Sequence, residues 1–129
     1  MSLRDRLRRA LPEAMRAREK TAVSALRATL AALDNAEAVP VDASALRGQA
    51  IEQVPVGVGA TEAERRVLGE EDVVRIVRAE TDERLRAAEQ VEGTAHAERL
   101  RAEAGVLLRF LEDAAVQDGS TAGRGPRTP

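Results

Sequence analysis

The chain has no cysteine, tryptophan or tyrosine, and a single phenylalanine, Phe110. Without cysteine there is no disulfide, no thiolate metal ligand and no sulfur nucleophile. Without large rings a core must form by close approach of aliphatic helix faces, and few groups remain to stack on bases or anchor a partner. Lysine and histidine each occur once, as Lys20 and His96. A serine-centred amidase needs a nucleophile with lysine or histidine support and an oxyanion hole. Here those supports fall on different predicted helices, with no Gly-Ser-rich motif beside either. A metal site would have to be built from carboxylates alone. The sequence therefore offers no catalytic residue, no metal site and no cofactor. No apolar run approaches the roughly 20 residues of a membrane span. The first twenty residues hold three acids, one serine and no apolar core, unlike a transit or signal peptide, so a soluble cytoplasmic protein is expected.

What is present is aliphatic and charged. The 129 residues suit one domain with a small core, rich in Ala, Val and Leu. A third of the chain is charged, yet the net charge is only −2. The distribution is uneven. Residues 1–20 carry seven basic groups against three acids, a local +4, whereas 70–113 carry twelve acids against seven arginines, a local −5.

Apolar residues at Leu3, Leu7, Ala10, Leu11, Ala14 and Met15 have helical spacing, with Ser2 as N-cap and Asp5 completing an imperfect capping box. Pro12 removes the bond to the Arg8 carbonyl, which predicts a kink or break at Leu11. A second helix should run from about Thr21 to Ala38 on a seam of Val23, Leu26, Leu30 and Leu33, with Ala25, Ala28 and Ala32 as a small-residue face. Residues 39–60 lose the period, and Pro40, Gly48, Pro55, Gly57 and Gly59 predict a long loop. Gly57-Val58-Gly59 lacks the following Gly-Lys-Ser/Thr of a phosphate-binding loop and reads as a turn. Thr61 and Glu64 could cap a brief helix to about Val67. Gly69 followed by Glu70, Glu71 and Asp72 starts a third helix, with Val73, Val77, Thr81 and Ala88 inward. Gly93 should stop it, and Thr94 should cap a fourth with Ala97, Leu100, Ala104, Leu107, Leu108 and Leu111 inward. Gly105 within that helix suggests a close helix contact. The predicted fold is all-α: antiparallel helical hairpins forming a small four-helix bundle over 1–115, then a disordered tail over 116–129.

Glu80, Asp82, Glu83 and Glu89 lie at helical spacing, but Arg84 and Arg86 fall four residues after Glu80 and Asp82, the geometry of surface ion pairs. His96 reads as a solvent-facing residue. The strongest candidate is the basic junction of Arg16, Arg18, Lys20 and Arg27, whose cations could meet nucleic-acid phosphates. The same cations also suit a solvated helix end, where they complement the negative pole of the dipole. No motif of a DNA sequence reader is present.

The run Ala14-Met15-Arg16-Ala17-Arg18-Glu19-Lys20, then Leu26-Arg27, Leu30-Ala31-Ala32-Leu33 and Asn35-Ala36-Glu37, resembles the N-terminal helical half of the YqeY-like family (GatB/YqeY). Glu80, Arg84 and Glu89 are similar to its third helix. The family is similar to the tail region of the GatB component of the glutamine-dependent aspartyl/glutamyl-tRNA amidotransferase. The resemblance covers roughly residues 2–113. It implies an accessory module that binds tRNA or an amidotransferase-related protein, with Arg16, Arg18, Lys20 and Arg27 as the nucleic-acid contact. By family label it also implies a carbon–nitrogen ligase with glutamine as amido donor, although in the amidotransferase that chemistry lies in other domains and another polypeptide. An alternative without nucleic acid is a helical assembly domain that oligomerises through its Ala/Leu faces.

Overall fold

The computed structural model describes residues 1–38 and 67–124, with side chains described as far as Gln117. Among these residues there are four helices and no strand: α1 (Leu3–Arg16), α2 (Lys20–Ala38), α3 (Glu70–Gln90) and α4 (Ala95–Arg124). The chain is all-α. The loop over 39–60, with its glycine turn, and the brief helix from Thr61 fall outside the described residues apart from Val67.

The helix starts follow from their caps. Ser2 Oγ accepts the Asp5 N–H at 3.1 Å, and the Asp5 carboxyl is held below its ordinary value by hydrogen bonds from the Ser2 hydroxyl and backbone. Ahead of α3, the Gly69 N–H donates to Asp72 Oδ2 at 3.1 Å. Thr94 Oγ1 accepts the Ala97 N–H at 3.1 Å and donates to the Val91 carbonyl. Gly93 turns the chain between α3 and α4 with φ of +85°, a conformation that glycine adopts without strain.

Helix α1 runs unbroken through Pro12, correcting the break expected at Leu11. Pro12 and Arg8 are both exposed, so water can solvate the carbonyl that the proline leaves unpaired. Leu3 and Leu7 before the proline and Ala14 after it are buried, which holds both halves on the core.

The core gathers all four helices. Leu7, Leu33, Val77 and Leu107 have no exposed surface, and neither do Ala25, Ala88, Ala97 and Ala104. Each helix touches the other three, most extensively α3 with α4 and then α1 with α2. Each buried leucine contributes about 2 kcal/mol of burial energy, while the alanines let backbones approach. The inward set expected for α3 is the buried one. Two expected core residues differ: Met15 is 46% exposed and Leu108 is 38% exposed. Each lies one position past a residue that takes the core site, Ala14 and Leu107 respectively.

Polar ties lock the rim. Arg4, largely buried, donates to Glu37 at 2.7 and 3.0 Å and to Asp34 at 2.8 Å, joining α1 to α2. Arg84 donates to Glu103 at 2.9 Å and to Glu80 at 3.0 Å, while the Ser24 hydroxyl donates to the other Glu103 oxygen at 2.9 Å. Burial works against the Arg84 charge, but its bonds to Glu103 and Glu80 outweigh it and raise its pKa. The ion pair expected between Glu80 and Arg84 is thus part of a tie spanning α2, α3 and α4.

Helix α4 continues to Arg124 and so extends into the stretch 116–129 expected to form the tail. Adding residues to an established helix is cheap, and Gly119 and Gly123 cost only about 1 kcal/mol each relative to alanine. The first proline after them is Pro126.

Two substitutions test this packing. Gly105 is not a close contact, since a Cβ there would meet nothing within 4 Å. Gly105→Ala is therefore expected to add about 1 kcal/mol in urea unfolding; a loss would mean hidden crowding. The Thr29 hydroxyl is fully buried with no hydrogen-bond partner, whereas Thr81 donates to the Val77 carbonyl at 2.9 Å. Thr29→Val should stabilise by about 1 kcal/mol, and Thr81→Val by clearly less. Equal effects would contradict the difference in their hydrogen bonding.

Candidate binding face at the turn between the first two helices

The junction of α1 and α2 is built by a left-handed residue. The Arg18 N–H donates to the Met15 carbonyl at 3.1 Å and the Glu19 N–H to the Ala14 carbonyl at 3.0 Å. This pair of bonds is the Schellman pattern, which places its turning residue at positive φ. That residue is Arg18, at φ of +59°, and it is the only non-glycine residue at positive φ among those described. Glycine is the usual occupant, because a Cβ costs roughly 1–2 kcal/mol in this conformation. The sequence keeps an arginine instead, so the side chain is held at the turn despite a local cost.

Around this turn lies an open groove of about 710 Å³. Arg18, Lys20 and Arg27 frame it, and Met15, Val23 and Ala28 supply apolar surface. The Arg27 guanidinium lies over the Met15 side chain, with Nη2 3.9 Å from Sδ. Of the four cations singled out in the sequence, the structure brings three to one groove. Arg16 is exposed in the last turn of α1 but does not line it. The exposed methionine was missed from sequence because it continues the apolar stripe of α1. The signal against core placement was its position at the helix end, beyond the last buried residue, Ala14.

The groove can offer hydrogen-bond donors and a polarisable thioether. Arginine and lysine carry no acceptor, so the frame suits anionic oxygens, and the bed suits apolar or flat groups. Elsewhere, His96 is exposed near the start of α4, as its position predicts. Glu80 and Glu103 surround Arg84 in a structural tie. Among the described residues no group of three or more His, Asp or Glu side chains is arranged to hold a metal ion, and no helix is long and apolar enough to cross a membrane.

Arg18→Gly is expected to raise stability by about 1 kcal/mol in thermal or urea unfolding, because it removes the left-handed strain. Arg18→Ala keeps the Cβ and should give no such gain. A destabilised glycine variant would show that the arginine side chain itself supports the turn. Comparison with protein-family models, with curated proteins and with solved structures finds no match for this chain, so the groove is interpreted from its own chemistry.

Proposed function

We propose that this chain is a non-catalytic helical binding module that presents the groove at the α1–α2 turn to an anionic partner. The YqeY-like resemblance nominates tRNA for that partner, in an accessory role to glutamine-dependent tRNA amidation in the cytoplasm. The observation that carries the proposal is the cationic frame of Arg18, Lys20 and Arg27 around an exposed methionine, with Arg18 kept at a turn where glycine would be less strained. Nucleic-acid backbones are recognised through such donor groups, and each neutralised phosphate releases counterions. The scaffold is proposed to be a small four-helix bundle of two antiparallel hairpins. In support, Arg4 near the start of α1 reaches Glu37 near the end of α2, and Arg84 late in α3 reaches Glu103 early in α4.

A second reading is favoured by the exposed apolar side chains of Leu108 and Val116 on α4: assembly through helix faces, with no nucleic acid involved. Filter binding of bulk tRNA across a salt series separates the two. With three phosphate contacts, the logarithm of the binding constant should fall against the logarithm of salt concentration with a slope of about −2 to −3. Arg18→Ala and Arg27→Ala should each flatten it by about one, and Arg16→Ala should act less, because Arg16 lies outside the groove. Absence of tRNA binding at every salt concentration, with a defined oligomer by light scattering, would replace the first reading by the second. Glutamine hydrolysis by the purified chain would instead favour the ligase chemistry attached to the family label.

A further inference from the structure

A second concavity lies at the other end of α1, where α1 and α3 begin and the later part of α4 passes them. Its volume is about 320 Å³, and it shares no lining residue with the groove at the α1–α2 turn. Buried Leu3 and Leu111 and half-buried Val74 give it apolar walls. Arg6 on α1 and Arg78 on α3 also line it. Neither guanidinium forms an ion pair or hydrogen bond among the described residues. The one carboxylate in the wall, Glu70, is already engaged, its Oε2 accepting the Leu3 N–H at 3.0 Å at the positive end of α1.

Such a space asks for two things of an occupant. The walls take an aliphatic chain, and the size is at the small end of ligand pockets, which run from about 300 to 1,000 Å³. The two guanidiniums take an anionic head, for which a planar carboxylate matches the arginine fork. We infer that this cavity binds a small aliphatic carboxylate, its chain against Leu3, Val74 and Leu111 and its head between Arg6 and Arg78. The inference is independent of the groove and of any nucleic-acid binding. Binding here joins three helix segments and adds to the stability of the folded chain by mass action.

Titration of the full chain with hexanoate, followed by amide NMR, tests it. Saturable shifts are expected at Leu3, Val74 and Leu111. Acetate, which lacks the chain, and 1-hexanol, which lacks the charge, should each bind about tenfold more weakly or not at all. Arg6→Gln and Arg78→Gln should each weaken hexanoate about fivefold, with unfolding midpoints unchanged in its absence to show that the fold is intact. Glu70→Gln should tighten binding two- to threefold, because glutamine keeps an acceptor for the Leu3 N–H and removes a charge of the same sign as the head group. Hexanol binding as tightly as hexanoate, shifts centred on the Met15–Ala28 groove, indifference to both arginine substitutions, or no saturable shift would each overturn the assignment.

Discussion

Close approach of aliphatic helix faces is the constraint on which everything else in this molecule rests. Leu7, Leu33, Val77 and Leu107 are sealed from solvent, and four alanines at equal burial let the backbones come near enough for those side chains to interlock. No large ring is available to bridge a looser gap, so the helices have little freedom to slide without opening voids. The charged rim depends on this seating. Arg4 can chelate Asp34 and Glu37, and Arg84 can hold Glu80 and Glu103, only because the apolar faces fix the register first.

The two concavities take their character from where that core ends. Past Ala14 the apolar stripe of α1 has no core left to cover, and Met15 emerges beside the cations of the turn. At the opposite end, the first turns of α1 and α3 meet α4 around Leu3 and Leu111, leaving Arg6 and Arg78 facing the space between them. One region is open and framed by three cations. The other is smaller, more enclosed and lined by both signs of charge.

Much of the architecture could be read from periodicity and caps. Val73, Val77, Thr81 and Ala88 on α3 are buried as their spacing predicts, and Ser2, Gly69 and Thr94 stand at the helix starts. The rest depends on information a linear pattern does not carry. Thr29 is fully buried in α2 although its hydroxyl marks it as polar, and Leu30, the more apolar neighbour, is only half-buried. In a run such as Leu107-Leu108, spacing does not say which leucine faces inward. Pro12 is tolerated because of its exposure, a tertiary property. For the basic junction, composition located the cluster, but helix rotation decides that Arg27 joins Arg18 and Lys20 while Arg16 stands apart. The positive φ at Arg18 carried no glycine to announce it.

Ser24 belongs to two neighbourhoods at once. It lines the α1–α2 groove, and its hydroxyl proton is committed to Glu103, whose second oxygen is held by Arg84. One wall of the groove is thereby braced from behind through three helices. The groove is held firmly at Ser24, and adjustment to an occupant falls to Met15 with its rotatable thioether arm and to the long stems of Arg18 and Lys20.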